Sequence, residues 1–377
     1  MKTRITNPFI TSGYIDPEYF CDRQEVTGLL MQAISSKRNV TLISLRRMGK
    51  TGLLKHVKHQ LEHTRKPVTV VYVDLMPTMN GNEMLNSFSS ALVNLKQKEN
   101  NFFEKILTIL GSLRPKLSYD SLTGQPTIEL KVETAADVQF GFNQLLKFIS
   151  GTRHDLVFMF DEFQQIIQYP EKNMEQLFRT IIQTYPSFPF IFSGSSRHML
   201  ESMFLSSNRP FYQSSELIYL DKISPEEYQR FILKNFHSAS KKIDEEAILK
   251  VFKWTRLHTY YVQYVCSLLF EKEDKSVNTD LTNQIFHQII SAFDPLFVSY
   301  RNLIPAQQFR LLQAIAVEDG ITHPTSWSFI KDHNLTSASS VTTSLKALAE
   351  KEMIVRDGEQ WIVYDVFFSR WLEYHYS

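Results

Sequence analysis

The first half of the chain alternates short apolar runs with stretches of helical periodicity. Val40 to Ser44 (VTLIS) reads as a buried strand that enters a polar loop, and Thr51 to Leu61 then reads as a helix. Further apolar runs follow at Val68 to Leu75, Leu156 to Phe160, Phe188 to Phe192 and Glu216 to Leu220. Continuous apolar strands separated by helices predict a parallel sheet covered on both faces. Between Arg114 and Val132, two alternating stretches flank Asp120-Ser121-Leu122-Thr123-Gly124, which predicts a β-hairpin inserted beside the main sheet.

After Leu220 the pattern becomes helical. Ser224-Pro225-Glu226-Glu227 reads as a helix start, with Ser224 as N-cap and Glu227 closing a capping box. Glu271 to Lys275 reads as a charged surface loop. From Pro305 the order is three helices, then short strands at Met353 to Arg356 and Trp361 to Tyr364 around Asp357-Gly358, the order of a winged helix-turn-helix. The expected organisation is therefore an α/β parallel-sheet core over residues 1–220 with its hairpin near 114–132. A small helical domain over 221–294 and a winged helix over 295–377 complete it.

Composition narrows this picture without naming a function. At 377 residues, 43% apolar and 21% charged, the chain is a multidomain globular protein. Cys21 and Cys266 lie far apart without CxxC spacing, which argues against a disulfide scaffold and a zinc site and makes a reducing, cytoplasmic setting the default. Residues 1–13 contain no apolar segment of secretory type, and no apolar run is long enough to span a membrane. A formal net charge of +1 supplies no global field for nucleic acid.

Chemistry enters at Ser44-Leu45-Arg46-Arg47-Met48-Gly49-Lys50-Thr51, which follows a strand and opens a helix. A loop so placed can turn its backbone N–H groups toward a phosphate, with the helix dipole adding attraction. Gly49 allows close backbone approach, Lys50 would neutralise β- and γ-phosphates, and the Thr51 hydroxyl would ligate Mg2+. Arg46, Arg47, Met48 and Gly52 complete the candidate nucleotide-binding set. The usual pattern begins with Gly where Ser44 stands, and a helix start with an exposed lysine is the bland alternative.

A second element weighs against that alternative. The run Leu156 to Phe160 ends in Asp161-Glu162. Asp161 is placed to hold magnesium and Glu162 to polarise an attacking water, a division that phosphoryl transfer requires. The next run ends in Ser193-Gly194-Ser195-Ser196-Arg197, where Arg197 could sense a γ-phosphate and Ser195 orient the water. Phe20 and Arg23 could accommodate a base, although such a Phe is more often core. Tyr260 and Tyr261, beside His258, read as packing, and the histidines show no metal-ligand spacing.

With these residues, the sequence resembles the bacterial and archaeal ATPases of the STAND type, within the wider AAA-like P-loop class. The resemblance runs over nearly the whole chain. It includes Asn7-Pro8-Phe9, Phe20-Cys21-Asp22-Arg23-Gln24-Glu25, Arg46-Arg47-Met48-Gly49-Lys50-Thr51, Phe160-Asp161-Glu162-Phe163, Gly194-Ser195-Ser196-Arg197, Pro305-Ala306-Gln307-Gln308 and Asp365-Val366-Phe367-Phe368-Ser369-Arg370-Trp371-Leu372. It implies an additional strand between those of Lys50 and Asp161, a helical lid and a winged helix. It also implies ATP hydrolysis used as a switch with ADP held at rest, Glu162 as base and Arg197 as phosphate sensor. Relatives usually carry a Gly-x-Pro turn in the lid, often as Gly-His-Pro-Tyr-Tyr, where this chain has Leu257-His258-Thr259-Tyr260-Tyr261, without the Gly and the Pro.

For the winged helix, the candidate recognition helix Ser337 to Lys351 offers Ser, Thr, Lys346 and Lys351 but no arginine to reach guanine edges. From Pro295 onward seven basic residues stand against nine acidic ones, which predicts a weak phosphate footprint. Three functions therefore remain in view: an ATPase acting as a conformational switch, a nucleotide-gated binding module with negligible hydrolysis, and a DNA-binding regulator. ATP or ADP with Mg2+ is the expected ligand, a protein the expected further partner and DNA the weaker one.

Overall fold

A computed structural model describes residues 5–95, 102–121, 124–132, 134–152, 155–272 and 276–377. The chain forms two compact units. One is Ser12–Lys222; the other joins the residues up to Thr11 with Ile223–Ser377.

In the first unit, α1 (Gln24–Ser35) leads into β1 (Val40–Ile43), α2 (Lys50–Glu62), β2 (Thr69–Asp74), α3 (Gly81–Asn94) and α4 (Phe102–Ile109). The hairpin β3 (Lys116–Tyr119) and β4 (Pro126–Glu129) follows, then α5 (Ala135–Ser150), β5 (Leu156–Asp161), α6 (Met174–Thr184), β6 (Phe190–Gly194), α7 (Arg197–Leu205) and β7 (Glu216–Tyr219). Five strands make one parallel sheet in the order β2-β5-β6-β1-β7. The strand β6 lies between β1 and β5, as the resemblance implied.

Residue alternation along these strands divides the core. Val40, Leu42, Val70, Val157, Met159 and Ile191 pack with Leu53, Leu54 and Val57 of α2 and with Leu30 and Ile34 of α1. The opposite set, Val71, Val73, Phe158, Phe160, Phe190 and Phe192, packs with α3, α5 and α6. Phe158 stacks on Phe190 with ring centroids 5.2 Å apart, and Phe160 on Phe192 at 6.2 Å. These four phenylalanines form a cross-strand ladder.

The expected hairpin forms, but as a separate two-stranded sheet against α3. The Ile128 amide donates to Ser90 Oγ and the Leu130 amide to Asn86 Oδ1, so side chains of α3 satisfy its edge. Leu122 and Thr123 of its turn lie outside the described residues, as do residues 273–275 of the expected charged loop.

The second unit contains α8 (Pro225–Ser238), β8 (Lys242–Ile243), α9 (Glu245–Thr255), α10 (Thr259–Glu271), β9 (Ser276–Val277) and α11 (Thr279–Leu303). Then come α12 (Ala306–Val317), α13 (Trp327–Asp332), α14 (Ala338–Glu350), β10 (Ile354–Asp357), β11 (Gln360–Val363) and α15 (Val366–Tyr376). Ser224 caps α8 by accepting from the Glu227 amide, while the Glu227 carboxylate pairs with Arg230. α11 runs through Pro295, so the boundary expected at 294/295 falls inside one helix. In the turn after α9, Arg256 and Leu257 both take positive φ, 52° and 56°. Leu257 thus holds a backbone conformation that a glycine would adopt without steric cost.

Two features of this unit were not read from sequence. Phe9 is 3% exposed and packs among Phe231, Phe236 and Phe270, and Asn7 Nδ2 donates to Ser267 and Glu271. The N-terminal segment therefore completes the helical unit rather than the sheet core, with which residues 1–220 had been grouped. Second, Asp319 is gripped by two arginines. Arg256 donates through Nε and Nη2 to Asp319 and through Nη1 to the Val363 carbonyl. Arg370 pairs with Asp319 at 3.1 Å and donates to the Trp254 and Lys253 carbonyls at the end of α9. Tyr261, 1% exposed, packs against Phe367 of α15, so this aromatic is packing, as expected.

Burial alone would raise the Asp319 carboxyl, but the charges of Arg256 and Arg370 outweigh it and hold it below the usual carboxylate range. A depressed folded-state value gives stability that is present above the unfolded value and lost as pH falls through the folded one. Asp319→Asn should therefore cost about 1 kcal/mol near neutrality, since Asp319 is half exposed, and flatten the acid side of the stability profile. Thermal melts of both proteins across acidic pH check this; parallel profiles would contradict it.

Candidate functional site

β1 delivers the chain into a loop that turns sharply and starts α2 at Lys50. Arg47 and Gly49 take positive φ, 64° and 89°, and alternation of this kind curves successive N–H groups into an anion-binding concavity. No side chain caps α2. Its leading N–H groups have no acceptor within the helix, and the macrodipole adds positive potential there. Ser44, 3% exposed, has a buried hydroxyl without a hydrogen-bond partner at the start of this loop. Met48 packs its side chain into the core beneath the sheet, and Arg46 and Arg47 are exposed. Gly52 lies under Phe20, whose ring would stand 3.6 Å from an added Cβ.

The parallel register brings four further groups to the same edge. Asp74 is level with Asp161 across β2 and β5, and Ser193 and Gly194 of β6 are level with Leu42 and Ile43 of β1. The C-terminal ends of parallel strands are where ligands bind in open α/β sheets. Here Lys50 Nζ donates to Asp161 Oδ1 at 2.8 Å and to Glu162 Oε1 at 2.7 Å, and the Lys50 side chain is 5% exposed. Thr51 Oγ1 and Tyr72 Oη donate to Asp161 Oδ2, at 2.7 and 3.0 Å. Ser193 Oγ and the Glu162 amide donate to Asp161 Oδ1, at 2.6 and 3.0 Å. Glu162 Oε2 accepts from Gln164 Nε2 at 2.6 Å and from the Ser195 hydroxyl and amide at 2.7 and 3.2 Å.

These contacts set the charges. Burial would raise both Asp161 and Glu162, but Lys50 and the converging hydroxyl and amide donors hold both carboxyls below their ordinary values. Both are therefore anions at neutral pH. Tyr72 is pushed far up by burial and then by Asp161 and Asp74, so its phenol stays a donor.

The structure thus brings together Lys50, Thr51, Asp161, Glu162 and Ser195 of the residues read from sequence. Arg197 is not in this cluster: it heads α7, donates to Glu201 at 2.9 Å and lies over the Tyr219 ring at 5.0 Å. Phe20 stacks on His56 with centroids 4.3 Å apart.

An α/β P-loop core of five parallel strands is joined to a C-terminal winged helix. A family model described as "Probable winged helix domain" matches residues 295–374. A Walker-type ATPase of Pyrococcus abyssi is similar in structure, with a TM-score of 0.67 and 16% identity, covering 97% of this chain and 99% of that one. The ORC1 protein of Aeropyrum pernix, solved in complex with DNA, gives a TM-score of 0.52 at 11% identity, covering 98% of this chain and 97% of that one. The search of curated proteins gave no match. Among the described residues no helix is long and apolar enough to cross a membrane.

Sequence reading missed Tyr72, Ser193 and Gln164. Ser193 follows Phe192, which is level with Phe160, and so stands beside Asp161, whereas Tyr72 is level with Met159, two residues before Asp161. Only the strand register reveals either, and Gln164 carries no such signal. Gln164 is 6% exposed, and only its amide nitrogen can serve the Glu162 carboxylate, which leaves Oε1 buried without a partner. Gly194 makes room for it. A Cβ at residue 194 would lie 1.9 Å from Gln164 Oε1 and 2.8 Å from Leu200 Cδ1. Gly194→Ala should therefore cost about 1–3 kcal/mol by overpacking and by expelling Gln164 from Glu162. Urea denaturation measures the loss, and an unchanged midpoint would show that Gln164 moves aside freely.

Proposed function

We propose that this chain binds ATP with Mg2+ at residues 44–52 and hydrolyses it, and that the cycle resets a conformational switch. One observation carries the reading: the Lys50 ammonium and Thr51 hydroxyl of the loop converge on Asp161 and Glu162 from a separate strand. The residues fit a nucleotide. The uncapped start of α2, the left-handed Gly49 and the orphaned Ser44 hydroxyl offer a donor-rich cradle for an anion. Among the described residues no group of three or more His, Cys, Asp or Glu forms a metal cage. That suits Mg2+, which is commonly held by one or two protein groups together with phosphate oxygens and water.

In this reading Thr51 and Asp161 hold the metal, which supplies charge neutralisation on the phosphates when bound. Lys50 binds phosphate oxygens, for which it must leave its carboxylate partners. Glu162 is the base: it is ionised, and Gln164 and Ser195 fix one of its oxygens so that the other faces a single donor, Lys50. Gly49, Gly52, Met48, Arg46 and Arg47 form the walls of the loop. Arg197 reaches a γ-phosphate only by exchanging Glu201 for it. The STAND-type assignment and a resting ADP state rest on the sequence resemblance.

A DNA-binding role is the second reading. It is favoured by likeness in fold to a protein solved with DNA and by the winged helix. Charge opposes it: residues 338–350 contain one basic residue, Lys346, and acids outnumber bases across the module. We therefore favour a protein as the macromolecular partner.

Glu162→Gln should retain ATP binding and lower phosphate release at least about 100-fold, whereas Lys50→Ala should lose binding itself. Steady-state phosphate release with fluorescent-nucleotide titration separates these outcomes. Turnover retained in Glu162→Gln would remove Glu162 as base, and no turnover by the parent chain with ADP still bound would favour a gated module without hydrolysis. Stimulation by duplex DNA would restore the second reading.

A further inference from the structure

The Arg23 guanidinium is an unusual group to find beneath a phosphate loop. The side chain is 7% exposed and projects from a residue with φ 71°, immediately before α1. Its Nη2 donates to the Met48 carbonyl at 3.0 Å, and its Nη1 donates to the Asp221 carbonyl. Met48 belongs to the phosphate loop. Asp221 stands just before residue 223, where the chain enters its second unit.

The first contact has a geometric consequence. A trans peptide is planar, and its C=O and N–H point in opposite directions. With the Met48 carbonyl drawn to Arg23, the Gly49 N–H of the same peptide faces away from the guanidinium. Gly49 is also the N-cap of α2, with φ 89° and no capping side chain. If the Met48–Gly49 peptide rotated, a carbonyl oxygen would take the place of that donor and repel an anion. The chain permits such a rotation, because glycine accepts most backbone conformations. A buried cation with a planar, forked set of donors resists it.

We propose that Arg23 is a positioning residue for the phosphate loop, holding the Met48 carbonyl outward so that the Gly49 amide serves the phosphates of the nucleotide. This deepens the proposed function and rests on it. Arg23 touches neither substrate nor metal in this scheme; it acts through one peptide plane. Its second contact means that the loop and residue 221 share one cation, so the conformation of the loop and that of the chain at 221 are set together. The alternative already raised from sequence, that Arg23 meets the base, makes a different demand: the pyrophosphate part of a ligand would then be indifferent to it.

The test uses the full chain and two probes in the presence of Mg2+, inorganic pyrophosphate and a fluorescent ADP. Arg23→Met should weaken both by a similar factor, roughly tenfold as for loss of a charge-assisted hydrogen bond. Arg23→Lys, which keeps one donor for the Met48 carbonyl, should recover part of the loss for both. Melting temperatures without ligand show whether the variants fold, and Arg23→Lys serves alone if Arg23→Met does not. Loss of ADP affinity with pyrophosphate binding intact would overturn the proposal in favour of a base contact. Unchanged affinity for both in the variants would overturn it outright. Failure of the parent chain to bind either probe would instead overturn the nucleotide site itself, and this inference with it.

Discussion

A buried ammonium needs anions, and the position of Lys50 makes that need an organising constraint. Lys50 is the first residue of α2, and its charge is nearly removed from water. An unpaired ion in such a place is prohibitive, so the side chain must meet carboxylates. Asp161 and Glu162 supply them only if β5 ends level with the loop, and β5 reaches that level only through β6, which separates it from β1. The hydroxyls of Thr51, Tyr72 and Ser193 then fill the remaining acceptor sites of Asp161. Strand order, register and polar network are in this sense one arrangement. Removing the cation would leave the buried Asp161 and the partly buried Glu162 without their shared counter-ion, which is why the lysine carries weight in the fold.

The architecture was legible where local pattern and tertiary role agree. The strand at Leu156 to Phe160 could be recognised because a strand buried on both faces is apolar at every position, and the wing because Gly358 with φ 62° supports a tight turn between two short strands. The loop was legible because its Gly, Lys and Thr occupy fixed offsets at a strand-to-helix junction. Gln164 was not, because a glutamine in a polar loop gives no sign that it will be buried; the pocket that receives it is made by Gly194, thirty residues on by count and adjacent only in space. Arg23 was noticed but given a different task, since its partners are backbone carbonyls and carbonyls leave no trace in a sequence. Arg197 shows the opposite case. Its position in the chain suggested a phosphate contact, whereas an acidic residue one helical turn onward, Glu201, takes its guanidinium.

The second unit relies on a different economy. Its last helix, α15, is buried along most of its length, from Val366 to Leu372. Such a helix cannot present a polar face, so its arginine has to be satisfied internally. Arg370 does this with two helix-terminal carbonyls and Asp319, and Arg256 shares the same acid. The winged-helix residues and the helix ending at Thr255 are thereby fastened by charge as well as by the Trp254, Phe286 and Phe367 rings. The result is a single packed body in which the acidic surplus of the module is partly spent on structure.

Phe9 gives the chain an awkward order of events during its synthesis. Asn7 and its partner Ser267 are 260 residues apart, so the segment around Phe9 is made long before the residues it packs against. At ordinary elongation rates that interval is on the order of tens of seconds. Throughout it the sheet core can form, while an apolar aromatic stays exposed ahead of it. The helical unit can close only after its own residues have emerged and the segment around Phe9 has joined them. Nascent chains of this protein should therefore expose the segment around Phe9 to chaperones until its partners at residues 231–271 have been made.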